Sequence, residues 1–304
     1  MFLLYHAYVY LEFLILACTI YILAPFVVIP LYRYNKGIEL MSEGRYTEAI
    51  DILEYCSDYK DTYEQIKLSY YLEGDNYIKV QEYDKAADSF WNYKSAVYED
   101  DDKYELAVIK WEICSLKAAV VGDVVEYGKY YTYSDDSEKS YMGWRVLKKE
   151  DNRVLVISED CIYCKAALGG QTWASSSMRR RLNGSFIDEA FVQNEADRIL
   201  QTNISNPDNS DYGTDGGEDT SDKIFLLSID EAHQYFDADM SRQAHSTDYA
   251  SMQGYNGTWW LRTPGSEKSY FAIVDSKGII VSAGFAFNVG TGVRPAMWID
   301  TNLD

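Results

Sequence analysis

Apolar residues change their spacing three times along this chain. From Phe13 to Tyr32 there are 20 uncharged, mostly apolar residues in an unbroken run. At ~1.5 Å per residue such a helix reaches roughly 30 Å, the depth of a hydrocarbon core. The run predicts a transmembrane anchor over residues 1–33. Glu12 is the one charge among the first 32 residues, so the basic start of a cleaved leader is missing. Pro25 and Pro30 are positioned to kink or end the helix, and Tyr32 and Tyr34 suit an interface. This implies a single-pass protein of the cell membrane. Arg33, Lys36 and Arg45 follow the run, which points the remainder towards the cytoplasm.

The second region, 34–118, has helical spacing and an internal echo. Gly37 pairs with Gly74, Tyr46 with Tyr83 and Ala49 with Ala86, all at an offset of 37. The offset is near the tetratricopeptide period of ~34 residues. Gly and Ala let two helices approach, and the Tyr fills the space beside them. Each unit ends apolar, at Ile52 and Leu53 and then at Phe90. A third, decayed unit runs from Tyr104 to Leu116. The region resembles a divergent tetratricopeptide-like array. It serves either as a spacer or as a groove for a protein partner.

After Val120-Val-Gly-Asp123 the pattern becomes strand-like. Val124–Tyr127, Gly143–Leu147 and Arg153–Ile157 read as strands, with a turn at Lys149–Asn152. Met178–Leu182 and Glu189–Phe191 mark short helices, and Ser221–Ser228 reads as a buried strand. A meander is predicted from Tyr270–Val274, Gly278–Val281, Phe285–Val289 and Val293–Ile299. The fold class is therefore α+β, with a mixed domain over 120–304.

Charge and composition narrow the functional classes. The net charge of −20 argues against nucleic acid as a partner. Three histidines leave little room for His-based chemistry, and no G-x-S-x-G, H-E-x-x-H, P-loop or dinucleotide motif occurs. Cys161-Ile-Tyr-Cys164 is a lone C-x-x-C: two ordinary thiols or a local disulfide. Between Asn206 and Asp222, Asp208, Asp211, Asp215 and Asp219 lie on a Gly-rich loop. Carboxylates on such a loop wrap a hard cation or simply face water, so Ca²⁺ is the one cofactor suggested. Tyr270, Phe271, Phe285, Phe287 and Asn288 form a candidate ligand-binding set, because alternation along a strand turns some of them outward. The same aromatics would otherwise fill the core. Arg262 and Arg294 sit within apolar stretches and need acceptors there, either from the core or from an anionic ligand.

Several of these segments recur together in one known family. Gly143-Trp-Arg-Val-Leu147, Val156-Ile-Ser158, Trp173 with Arg181-Leu-Asn183, Phe186, Phe191 and Asp222–Ser228 appear in order. Trp259-Trp-Leu-Arg-Thr-Pro-Gly265 and Gly292-Val-Arg-Pro-Ala296 follow, so that Trp259, Trp260, Arg262, Arg294 and Pro295 form a structural motif. This pattern resembles the bacterial DUF6273 family over about 120–300. The ending is also similar to C-type-lectin folds of the formylglycine-generating-enzyme branch. That analogy implies an exported, noncatalytic domain binding a protein or glycan, with C-type-lectin-like use of Ca²⁺. The enzyme branch uses late cysteines, and none follows Cys164. A related enzyme and a scaffold acting through the repeats remain the alternatives.

Overall fold

The computed structural model describes residues 12, 14, 24–133 and 138–303, which fall into two compact units, 1–114 and 115–304. In the first unit, a π-helical turn over Ala24–Val28 leads into helix α1 (Ile29–Ser42). Helices α2 (Tyr46–Leu53), α3 (Thr62–Lys79) and α4 (Tyr83–Ala96) follow, and α5 (Tyr104–Ala118) carries the chain past the division after residue 114.

The predicted single-pass span, and the cell-membrane localisation drawn from it, are corrected here. Among the described residues no helix is long and apolar enough to cross a membrane. Residues 13 and 15–23 of that run lie outside the described residues. Its described remainder enters α1, which carries Arg33, Lys36 and Glu39 and buries Gly37 and Leu40. Pro30 sits in the first turn of this helix, where its missing N–H costs nothing. The described end of the run is exposed where it enters this charged helix, with Phe26 at 75% and Tyr32 at 68%.

The 37-residue echo is realised atom by atom. A Cβ on Gly37 would stand 2.5 Å from Leu53, and one on Gly74 would stand 2.7 Å from Phe90. Both glycines thus let a large side chain, the eighth residue of the next helix in each case, lie on the helix backbone. The turns match as well. Arg45 N donates to Leu40 O and Glu82 N to Tyr77 O, each at 3.0 Å. Gly44 and Gln81, again 37 apart, both take left-handed backbone, with φ of 75° and 61°. Glycine does so freely; glutamine holds it at some cost.

The second unit holds two five-stranded sheets and a small hairpin. The first sheet has the order β1–β2–β3–β12–β7: Val124–Tyr131, Lys139–Glu150, Arg153–Ser158, Ala296–Asp300 and Ile224–Phe225. The second has the order β10–β9–β8–β11–β4: Ile280–Phe285, Phe271–Val274, Trp259–Pro264, Gly292–Val293 and Tyr163–Cys164. In that sheet β11 runs parallel to β8. Strands β5 (Thr202–Ile204) and β6 (Thr220–Asp222) form the hairpin. Short helices α6 (Ser177–Leu182), α7 (Ser185–Ala190), α8 (Gln193–Arg198), α9 (Ile229–Tyr235), α10 (Asp239–Arg242) and α11 (Asp248–Met252) fill the connections. Strands β3 and β8 are buried on both faces; β3 accordingly reads as a continuous apolar run, whereas β8 carries the buried Arg262 and Thr263. Trp144, Trp173, Trp259 and Trp260 are fully buried.

Three predicted strands differ from the observed ones. Ser221–Ser228 is split, because β6 pairs in the hairpin and β7 in the first sheet. Val293–Ile299 is split between the two sheets, β11 in one and β12 in the other. Pro295 lies at the crossing and has no N–H to give a ladder. Phe285–Val289 leaves the sheet after Phe285 and becomes a loop.

Candidate functional site

The predicted ligand-binding set divides at the edge of the second sheet. Phe271, on β9, is buried and belongs to the core, and Tyr270 is half-buried. Phe285 and Phe287 are 41% and 65% exposed, and Val289 beside them is 63% exposed. These three alternate along the loop after the edge strand β10, with Asn288 half-buried between them.

The loop is built to hold this shape. Gly284 and Gly290 bracket it with φ of 60° and 79°. A Cβ at either would come within 2.0 Å of a backbone oxygen, that of Phe271 or of Gly254. Asn288 N donates to Ala166 O at 2.8 Å, and Asn256 Nδ2 donates to Val289 O at 2.8 Å. The loop backbone is thereby tied to two other loops while its apolar side chains face outward.

Arg262 has all of its hydrogen-bonding capacity spent inside the protein. Nη2 donates to Glu231 Oε1 at 2.9 Å and to Ser205 O at 3.0 Å. Nη1 donates to Glu231 Oε2 and to Leu226 O, the latter at 2.7 Å. Nε reaches Asn206 Oδ1 at 3.3 Å. Glu231 also closes the capping box of α9, accepting from Ser228 N at 2.9 Å. This is the pattern of a guanidinium that ties loops to a core.

Arg294 is held differently. Its Nε donates to Ser158 O at 2.7 Å, and Nη2 lies 3.9 Å from Glu159 Oε2. The rings of Trp259 and Phe236 stand 5.3 and 5.4 Å from its Cζ. Nη1 is buried without a hydrogen-bond partner. Burial pulls the guanidinium below its usual value, with Cys161 and Glu159 opposing that shift.

The acidic loop spends several of its carboxylates on its own backbone. Asp208 accepts from Gly216 N at 3.0 Å, Asp215 from Gly217 N at 2.8 Å, and Asp219 from Asn206 N at 2.8 Å. Asp211 is exposed, its backbone N bound to Asn209 Oδ1. Among the described residues no group of three His, Cys, Asp or Glu side chains could hold a metal ion. The loop's anchors are two buried amides. Asn209 Nδ2 donates to Pro264 O at 2.7 Å and to Ser282 O at 2.9 Å, pinning β8 and β10. Asn206 accepts from Arg262 Nε through Oδ1 and donates from Nδ2 to Glu218 O at 2.9 Å. A search for charged and aromatic residues overlooks both amides; their signal is an Asn within a Gly/Asp-rich loop.

Cys161 and Cys164 are free thiols, so the disulfide alternative is not formed. Burial pushes the Cys161 thiol up to about 12 and the Cys164 thiol up to about 11. At neutral pH both are protonated, the unreactive form.

Residues 151–301 match the DUF6273 family, a domain of unknown function. The DUF6273 match runs from the β2–β3 turn through β12 and takes in both arginines, the acidic loop and the exposed aromatics. Strands β1 and β2 precede it, yet they complete the same sheet. No curated protein and no solved structure matches the chain.

Proposed function

We propose that the DUF6273 domain is a noncatalytic recognition module that binds protein through Phe285, Phe287 and Val289. The observation that carries this reading is three outward apolar side chains on a backbone fixed at both ends. Burying each such side chain in a partner contributes about 1.5–3 kcal/mol. A loop already held in shape gives up little further freedom on binding. The aromatic and amide character of Phe285, Phe287 and Asn288 suits a protein surface with hydrogen bonds at its margin. The C-type-lectin analogy is compatible with a binding role but supplies no ligand. A second reading makes the helical unit the binding element. It is supported by the matched 37-residue contacts, in which a glycine of one helix receives a large side chain of the next.

The test selects binders to the full chain from a displayed peptide library and screens the same protein on a glycan array. Selected peptides should bind the Phe285→Ser/Phe287→Ser variant about tenfold or more weakly, with unchanged thermal unfolding. Equal binding to the variant, or binding to sugars alone, overturns the proposal.

A further inference from the structure

A second concave site lies in the same unit, away from the apolar loop. It is a cleft of ≈ 340 Å³ between β1–β2 and the segment leading into α11. Two carboxylates, Asp160 and Asp248, and two tyrosines, Tyr133 and Tyr141, line it. None of the described residues lining the cleft is basic.

Which groups are already engaged decides what the cleft can take. Its hydroxyls are largely spent within the protein. Thr132 Oγ1 pairs with Ser140 Oγ, Ser246 Oγ with Ser251 Oγ at 2.7 Å, and Thr247 Oγ1 caps α11 through Ala250 N at 3.1 Å. A sugar, which needs free hydroxyl and amide partners, finds few here. Among the described residues, none donates a hydrogen bond to the carboxylate of Asp160 or Asp248. The Tyr133 ring is 55% exposed and has no ring or cation neighbour among the described residues. Tyr141 already faces a cation, with Lys129 Nζ 4.8 Å from its ring centre. Two carboxylates and an exposed aromatic ring lining one cleft, in a chain of net charge −20, form a site of negative potential.

We propose that this cleft binds a small organic cation of the alkylammonium class, with Asp160 and Asp248 as counter-ions and Tyr133 as the ring platform. The carboxyl of Asp160 supports the assignment. Burial and Glu159 hold it above the usual carboxylate range, with His245 and Arg294 pulling the other way. A bound ammonium supplies the charge that this group lacks.

The experiment is calorimetric titration of the full chain with choline and with putrescine at physiological salt, with glucose as the neutral control. Saturable binding of at least one amine is expected, with glucose inert. Asp160→Asn should weaken it about tenfold and Tyr133→Ala about threefold or more, while Asp51→Asn on the helical unit leaves it unchanged. Tyr133 is exposed, so its variant stays informative where Asp160→Asn fails to fold. Absence of saturable amine binding overturns the proposal. So does binding that survives both cleft variants, an equal loss from Asp51→Asn, or a preference for glucose.

Discussion

Replacing Glu231 by Ala should destabilise the second unit by about 3–4 kcal/mol, and the structure shows where that figure comes from. Arg262 is buried, and Glu231 provides both of its carboxylate contacts. Breaking a buried ion pair from one side costs about 3–5 kcal/mol, because the remaining charge is stranded. The Glu231 side chain is a quarter exposed, which places the cost at the lower end. Loss of its bond to Ser228 N in the α9 capping box adds about 1 kcal/mol. Urea unfolding followed by tryptophan fluorescence is the assay, since Trp144, Trp173, Trp259, Trp260 and Trp298 all lie in this unit. With a slope of about 1–3 kcal/mol per molar, the midpoint should fall by more than about 1 M. Glu231→Gln keeps one acceptor and should lose about half as much. The double variant Glu231→Leu/Arg262→Met removes the buried cation along with its partner and should be milder than Glu231→Ala. A cost below about 1 kcal/mol for Glu231→Ala, or a double variant as damaged as the single one, refutes the stranded-charge reasoning.

Two further expectations rest on other contacts. Gly74→Ala should cost the helical unit about 1–3 kcal/mol despite alanine's better helix propensity, because its Cβ would meet the Phe90 ring at 2.7 Å. Adding Phe90→Leu should recover part of that loss in helical circular-dichroism melts, and a Gly74→Ala protein as stable as the parent sinks the packing argument. Stability of the second unit should also fall at alkaline pH. Burial raises the thiols of Cys161 and Cys164 to about 12 and about 11 and the Tyr130 phenol to about 12. Unfolded thiols ionise near ~8.5 and phenols near ~10, so above ~8.5 the unfolded chain binds fewer protons than the folded one. The contribution is whole below that point and is lost as pH rises towards the folded values. Urea midpoints should hold steady from about pH 7 to 8 and drop steeply above about 9; a flat profile to about pH 10 contradicts the burial account.

What could be read in the sequence follows from how local each signal is. Gly143–Leu147 and Arg153–Ile157 lie within β2 and β3, because a two-sided apolar run bounded by turn residues has one simple solution. The Gly37/Gly74 echo was legible for the same reason: both partners of each contact are a helix apart. The division of Val293–Ile299 between sheets was not legible, since residues on either side of Pro295 look alike and differ only in distant partners. For the apolar loop, alternation suggested a strand through Val289. The positive φ of Gly284 and Gly290, which turns that segment into a display loop, depends on carbonyls of Phe271 and Gly254 lying alongside. The acidic loop drew attention to its charges, whereas Asn206 and Asn209 make its long-range bonds. The N-terminal apolar run reads as a span on length and hydropathy alone; the local signal against it is the charged helix it enters.

The place of β12 inside the first sheet, between β3 and β7, sets an order of events during synthesis. Arg294, just ahead of that strand, bonds the carbonyl of Ser158, 136 residues earlier. While the ribosome is still making the acidic loop and the second sheet, β3 is paired with β2 on one side and bare on the other. Its residues Val154–Ile157 are built for burial on both faces, so this waiting edge is apolar and ready to pair with any strand it meets. Contacts so distant in sequence form slowly, and the exposed intermediate is the form on which chaperones and aggregation compete. Closure of the domain is therefore a late step, governed by arrival of residues 296–300 at the gap left for them.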